Sequence, residues 1–476
     1  MELKDDFSES LKNPLFKVVT DEAKSIGVKA YLIGGFVRDH LLGRKNKKDI
    51  DIVAIGSGIE LAKAVQKKLK DAKPVKIFKT YGTAMIHWNG LEIEFVGSRK
   101  ESYSKETRNP KVESGSLEDD QNRRDFSINA LAISLNKVDF GTLLDPFNGI
   151  SDLKQKILRT PLGPDITYSD DPLRMLRAIR FANQLNFIIE QKSLVSITKN
   201  SDRIKIVSKE RIVEELTKIL ATKKPSHGFI LLEETGLLKF ILPELVTLKG
   251  IDEIEGQRHK DNFYHTLEVV DNLCLNSNNI WLRWAALLHD IGKAKTKKFV
   301  PNIGWTFHNH EFIGSKMIYK IFKRLKMPLN DKMKFVQKMV LMSSRPIIIS
   351  EDHVTDSAIR RLLFDAGPFI DDLITLCEAD ITTKNQKRYD LYHNNFKIVR
   401  EKIISIEEKD QLRNFQPPVS GKVIMKYFGL KPSREIGIIK ESIKEAILEG
   451  EIPNKYEAAF EKMKEEGEKI GLKSNE

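Results

Sequence analysis

At 476 residues, 41% hydrophobic and 31% charged, the chain is long enough for three or four domains of ~150 residues with their own cores, which excludes a mini-protein and large-scale disorder. Its 79 Lys+Arg against 67 Asp+Glu give a formal charge of +12, so a polyanionic partner is the first expectation and a solvated lysine-rich surface the plainer one. Two cysteines, Cys274 and Cys377, exclude a disulfide framework and a cysteine-ligated zinc, and the want of a long apolar run or a basic-then-apolar leader makes a cytoplasmic protein without a membrane span the expectation.

In chain order, residues 30–35 (Ala-Tyr-Leu-Ile-Gly-Gly) read as a strand closing on a glycine turn, followed by an amphipathic helix over 36–42 that ends at Gly43. Residues 49–53 (Asp-Ile-Asp-Ile-Val) alternate as a strand. Further strands are predicted over 84–87, over 91–96 and after a helical stretch at 125–135, while the polar stretch 101–122 fits no element. From about residue 150 the apolar pattern turns to the 3.6-residue period, over 171–185, 209–221, 264–273, 280–288, 354–364 and 369–379. The sheet is therefore expected to stop there, with only helices beyond it. Breaks fall near 161–164, 250–256 and 416–418, and the charge-alternating stretch 456–469 reads as a solvated terminal helix. The fold class is α+β, a small mixed sheet followed by all-α segments.

Asp49 and Asp51 stand at i and i+2 on a strand, so their carboxylates leave one face a few ångströms apart. Two such like charges stay ionised cheaply only around a cation, and hard oxygen ligands suit Mg²⁺. Alone, the pair would read better as exposed edge aspartates. Upstream, however, the Gly34-Gly35 turn leads into a helix carrying Arg38, leaving backbone N–H groups and a cation for phosphate oxygens. Downstream, Glu94 offers a third carboxylate on a neighbouring strand. Three acids beside a phosphate cradle make a two-metal site for in-line displacement at phosphorus.

The segments Gly34-Gly-Phe-Val-Arg-Asp39, Asp49-Ile-Asp51 and Arg123-Arg-Asp-Phe-Ser-Ile-Asn-Ala130 resemble the signatures of the bacterial tRNA CCA-adding enzyme and poly(A) polymerase family. The resemblance continues through Asp145-Pro-Phe-Asn-Gly149 with Asp152-Leu153, Asp170-Asp-Pro-Leu-Arg174 with Arg177, Arg180 and Phe181, and Glu210-Arg-Ile-Val-Glu214, so that it covers roughly the first 250 residues. It implies a head like that of DNA polymerase β with helical neck, body and tail behind it. It also implies that Asp49 and Asp51 carry Mg²⁺, that Glu94 completes the site, and that the 3′-hydroxyl of an RNA attacks the α-phosphate of a nucleoside triphosphate. Arg38 and the Gly34-Gly35 turn would hold the triphosphate, Arg124 and Asp125 of the second motif would address the ribose, and Asn129 belongs to the nucleotide-binding set.

In the resembled family the second acid and the arginine of Asp170-Asp171-Pro172-Leu173-Arg174 hydrogen-bond the incoming base in place of a template. The local chemistry suits this. Pro172 fits a first helical turn with Asp171 at the cap, and Arg174, Arg177 and Arg180 recur as one basic stripe, which could equally be an N-capped helix with ion-paired arginines. A carboxylate accepts from the exocyclic amino group common to cytosine and adenine, while a guanidinium donates to ring acceptors. Position 170 departs from the family's usual Glu, leaving Asp171 and Arg174 intact. The stretch with Tyr103, Arg108 and Pro110 resembles the loop that complete CCA-adding members keep and CC-only members shorten.

Seven of the ten histidines fall between 227 and 353. His and Asp side chains on separate helices converge readily on a divalent transition metal, whose open positions suit phosphoester hydrolysis. The run Leu287-Leu-His-Asp-Ile-Gly-Lys293 resembles the HD phosphohydrolase superfamily, whose pattern implies His265, His289, Asp290 and Asp380 as ligands and His310 as an extra one; Met342-Ser343-Ser344 offers no further histidine. The tail, with Gly421, Lys422, Lys426, Gly429, Lys431, Pro432, Gly437 and Lys440, resembles the family's RNA-binding end, and phosphate contacts there would position RNA without reading it.

The domains expected are a nucleotidyltransferase head (1–150), a helical neck and body that selects the nucleotide (151–255), an HD phosphohydrolase-like domain (256–400) and a tRNA-binding tail (401–476). The expected activity is CTP(ATP):tRNA nucleotidyl transfer on the tRNA 3′ end. The alternatives are a poly(A) polymerase, a partial CC- or A-adding enzyme, and, from another class, an HD phosphohydrolase with a relic head.

Overall fold

A computed structural model describes residues 3–44, 48–78, 82–104, 107–351, 355–410, 412 and 418–475. The chain forms two compact units, residues 1–243 and 244–476. Among the described residues no helix is long and apolar enough to cross a membrane.

The first unit is built on a seven-stranded mixed sheet made from β1 (Lys29–Ile33), β2 (Asp49–Ile55), β3 (Lys76–Phe78), β4 (Thr83–Trp88), β5 (Leu91–Gly97), β8 (Ala132–Ser134) and β9 (Leu143–Leu144), in the order β3-β4-β5-β2-β1-β8-β9. Strands β6 (Arg99–Ser104) and β7 (Thr107–Ser114) form a separate antiparallel hairpin. Alternation in β2 sends Ile50, Ile52 and Ala54 to one face, fully buried, and Asp49 and Asp51 to the other. Helices Pro14–Ser25 and Gly58–Lys68 pack on the sheet and on each other through Leu15, Phe16, Val19, Leu61, Ala62 and Val65. Asn13 and Ser57 cap them by accepting from the backbone of Leu15 and Glu60. A small cluster of Tyr31, Ile33, Val53 and Ala132, covered by Leu117 and Leu144, fills the face that carries the aspartates.

Behind the sheet, helix Leu173–Leu185 packs against Lys209–Leu220 and Pro225–Glu234. In the second unit, helices Asn262–Asn276, Ile280–Leu288, Asp331–Met342 and Ile370–Ala379 share a core. Gln386–Asp410, Arg434–Glu449 and Tyr456–Lys469 follow.

Four expectations change. The stretch 125–135 is a single 3₁₀ turn, Ser127–Asn129, running into β8, because Asp125 and Asn129 turn their side chains on each other and on arginines rather than along a helix. Residues 101–122 hold most of the β6–β7 hairpin and helix Leu117–Asn122, whose Ser116/Asp119 capping box marks the start. Helices are not alone beyond residue 150: Ile157–Leu158 pairs with Ile188–Ile189, Glu253–Ile254 with Gln257–Arg258, and Lys298–Val300 with Gly304–Thr306. Helix Tyr456–Lys469 is not wholly solvated, since Ala459, Met463 and Gly467 are buried, and a Cβ on Gly467 would run into the Phe428 ring. The helix predicted from 354 is described from Asp356; Val354, and Gln416 and Pro417 of the last break, lie outside the described residues.

Candidate active site and a second metal-binding cluster

The parallel pairing of β2 with β5 sets Asp51 beside Glu94 and Asp49 beside Glu92, so Asp49, Asp51 and Glu94 share one face of two adjacent strands. Asp49 is exposed while Asp51 and Glu94 are half-buried. Burial raises the Asp51 carboxyl, Arg124 opposes it and Asp49 adds to it; Glu94 is raised by burial and then by Asp51. Acids held up by desolvation and mutual repulsion are what a bound cation would relieve. Gly34 supports the fit. It sits at φ 81°, and a Cβ there would lie 3.1 Å from Arg124 Nη1 and 3.2 Å from Asp51 Oδ2, so only glycine leaves this opening.

Arg38 is buried at 6% exposure on the short helix Gly35–Leu41. Its Nε and Nη2 each donate to Asp39 at 2.9 Å and its Nη1 to Asn129 Oδ1 at 2.8 Å. Its guanidinium is thus first a strut that braces the turn after β1, and it lies 4.8 Å from the Phe181 ring centroid. Asn129 passes the connection on by donating to Asp125 Oδ1 at 2.9 Å. Asp125 accepts on its other oxygen from Arg177 Nε at 2.7 Å. Burial would raise the Asp125 carboxyl, but Arg177 and Asn129 outweigh it and hold it at about 2.

Asp171 ends the preceding helix and caps the next, accepting from Leu173 N at 3.1 Å. The three arginines of helix Leu173–Leu185 do not form an open basic stripe. Arg174 is buried and donates to the carbonyl of Arg123 at 2.6 Å, Arg177 reaches Asp125, and Arg180 is buried against Glu215 at 2.5 Å. Arg177 and Arg180 also flank Phe181, at 5.4 and 3.8 Å from its centroid. The predicted residues thus form one chain of contacts from the Gly34-Gly35 turn to Arg180. Glu215 and Asp120, both buried and neither singled out in the sequence, anchor it. The charged pattern at 210–215 hinted at Glu215; the third acid of the run Glu118-Asp119-Asp120 in a polar stretch gave no sign of its burial.

In the second unit His265, His289 and Asp290 bring ligand atoms within 4.8 Å of one another, the only such cluster among the described residues; the three head carboxylates do not draw as close. Asp380 joins them, its Oδ1 lying 2.9 Å from His265 Nε2 and 3.6 Å from His289 Nε2. Each imidazole is oriented through Nδ1: His289 to the Ala286 carbonyl, His310 to the Phe307 carbonyl and His265 to Thr382 Oγ1, at 2.8, 2.9 and 3.0 Å. The Nε2 atoms of all three are thereby left for Asp290, with His310 at 3.5 Å, and this is how metal-binding imidazoles are held. His289 Nε2 is buried without a hydrogen-bond partner in a cluster it shares with Asp290 and Asp380, an arrangement that fits a cation. Burial would lower the His289 pKa, but Asp290 and Asp380 raise it to about 10, a measure of how negative the cluster is. A cavity of about 610 Å³ lined by Lys260, Tyr264, His265, Asp380, Arg388 and Tyr392 opens beside it.

Three family models match the chain in order. Residues 30–159 match the poly A polymerase head domain, 186–248 the probable RNA- and SrmB-binding site of polymerase A, and 262–385 the HD domain. The chain is 30% identical over 351 residues to the A-adding tRNA nucleotidyltransferase of Deinococcus radiodurans, covering 72% of this chain and 78% of that one. The chain belongs to the tRNA nucleotidyltransferase family. A second family member, the CCA-adding enzyme of Streptococcus gordonii, is 28% identical with 94% of this chain and 96% of that one covered. The crystal structure of the Bacillus stearothermophilus CCA-adding enzyme in complex with CTP superposes with a TM-score of 0.68 at 23% identity, covering 96% and 99% of the two chains, and so shares the fold. Divalent metals are general in the nucleotidyltransferase and HD families.

Proposed function

We propose that the chain completes or repairs the 3′-terminal CCA of tRNA in the cytoplasm, from CTP and ATP and without a nucleic-acid template. The observation that carries this reading is the unbroken set of contacts Arg38–Asn129–Asp125–Arg177, which ties the glycine turn beside Asp51 to the helix that begins at Asp171 and Arg174. Asp49, Asp51 and Glu94 would hold Mg²⁺, which supplies activation of the attacking hydroxyl and neutralisation of the departing charge. The 3′-hydroxyl oxygen bonds to the α-phosphorus, the bond to the bridging oxygen of the β-phosphate breaks, and the hydroxyl proton is lost to solvent as pyrophosphate leaves. Arg124 and the backbone N–H groups after Gly34 face the triphosphate, Asp125 and Asn129 fix the arginines around it, and Asp171 and Arg174 select cytosine and adenine. The head, neck and body, HD and tail divisions at 150, 255 and 400 belong to the same reading, with the lysines of 421–440 on the tRNA backbone. The HD cluster would hold a divalent transition metal and supply an accessory phosphoester hydrolysis.

A second reading, addition of the terminal A alone, is favoured by the name of the Deinococcus relative, while the Streptococcus relative, matched along nearly its whole length, is named for the full CCA. Primer extension on tRNA lacking its 3′ end, with Mg²⁺ and each nucleoside triphosphate alone and mixed, decides. Growth by C, C and A supports the proposal, a requirement for pre-existing CC supports A addition, a long A ladder means a poly(A) polymerase, and no extension overturns the transferase reading.

A further inference from the structure

Asp120 lies on helix Leu117–Asn122 and its side chain is fully buried. Its two carboxylate oxygens serve different guanidiniums. Oδ1 accepts from Arg123, whose Nε is 2.9 Å away, and Oδ2 accepts from Arg124 Nε at 3.1 Å. Each arginine then carries the grip onward. Arg124 turns its Nη1 toward the carbonyl of Asn129 at 3.4 Å and toward the space that Gly34 leaves open beside Asp51. Arg123 presents its backbone carbonyl to Arg174 Nη2 at 2.6 Å. One buried acid therefore stands behind both the residue that faces the metal-binding carboxylates and the residue that faces the base. A carboxylate taken out of water is costly unless fully paired, and Asp120 meets that cost with one guanidinium on each oxygen, so its charge is committed to holding those two arginines.

We propose that Asp120 is a positioning residue for nucleotide transfer, setting the Arg124 guanidinium beside Asp51 and the Arg123 carbonyl against Arg174 so that catalysis and base choice share one support. This rests on the transferase reading above, and the wild-type chain separates the two: if it adds no nucleotide to tRNA, that reading fails before Asp120 is tested. The full chain carrying Asp120→Asn is assayed for kcat and KM with ATP on tRNA ending in CC, and for misincorporation of UTP and GTP, with circular dichroism and thermal melting as folding controls. A displaced guanidinium should lower kcat/KM by about 10- to 100-fold, as expected for a misplacement of about 1 Å, and should raise misincorporation by about tenfold. In the Arg124→Gln background the same change should lower kcat/KM by less than about threefold, since the two act through one another. Asp120→Glu, which keeps the charge and moves it by one methylene, should fold and still lose selectivity, so the test survives if Asp120→Asn does not fold. Wild-type kcat/KM and selectivity in a folded Asp120→Asn or Asp120→Glu chain, or full additivity with Arg124→Gln, overturns the proposal.

Discussion

Asp125 and Arg177 meet across 52 positions of sequence, with Nε 2.7 Å and Nη2 2.6 Å from the same carboxylate oxygen. The other oxygen accepts from Phe126 N at 3.0 Å and Asn129 Nδ2 at 2.9 Å, so the buried carboxylate is satisfied on every side. This fork joins the 123–130 segment to the helix behind Asp171; it raises the Arg177 pKa and holds the guanidinium 5.4 Å from the Phe181 ring centroid.

The fork sets an acid limb on stability. The Asp125 carboxyl sits at about 2 in the folded chain, against about 4 when unfolded. A depressed folded pKa stabilises above the unfolded value and is lost as pH falls through the folded one, so the contribution, on the order of 2 kcal/mol, is complete above about pH 4 and disappears toward pH 2. Asp125→Asn should be less stable than the wild type at pH 7 and should narrow the gap between pH 4 and 2. Thermal melts across that range check it, and acid limbs that run parallel in the two chains would count against the fork.

Much of this was legible in the sequence where period and chemistry agreed. Asp49, Asp51 and Glu94 could be placed on one face because strand alternation fixes side-chain direction, and the long amphipathic helices declared themselves by period. The short elements did not. Strands of two or three residues such as Leu143–Leu144 and Lys298–Val300 carry too few residues for a period, and the β6–β7 hairpin is too polar to look like one. The partners of the arginines were also hidden. Spacing put Arg174, Arg177 and Arg180 on one helix face, but only the fold shows that Arg123 O, Asp125 and Glu215 divide them.

Base choice should rest on Asp171 and Arg174. Either residue changed to Ala should relax discrimination against UTP and GTP, by about 10- to 100-fold for loss of a paired hydrogen-bonding edge, while tRNA affinity stays within about twofold. Competition assays with mixed triphosphates and a separate tRNA-binding measurement read the two effects. Unaltered discrimination in both variants would remove these residues from base selection.

The His/Asp cluster should bind its metal independently of the head. Purified wild-type chain should carry close to one divalent transition-metal ion by elemental analysis, and His289→Gln or Asp290→Asn should fall well below that, because each removes an inward-facing donor. Phosphoester hydrolysis should be lost with the metal, and nucleotide addition should persist. Equal metal content in wild type and both variants would place the ion elsewhere.

Mg²⁺ should compete with protons at the head. Burial raises the carboxyls of Asp51 and Glu94, and a raised folded pKa means that the metal-free chain loses stability as pH climbs through those values. Added Mg²⁺ should reverse the loss by neutralising the ionised pair, so the increase in Tm on adding the ion should be larger at neutral pH than near about pH 4, the ordinary carboxylate value, where these raised acids still hold their protons. Asp51→Asn removes one of the two raised acids together with a ligand, and should flatten both the pH dependence and the response to Mg²⁺. Nucleotide addition in that variant should fall by about 10³-fold or more, the several kcal/mol expected of a lost metal ligand at a phosphoryl-transfer site. Because tRNA contacts lie outside the carboxylate face in this reading, tRNA binding without triphosphate should be unchanged. A variant that keeps both its activity and its Mg²⁺-dependent Tm would take Asp51 out of the metal site.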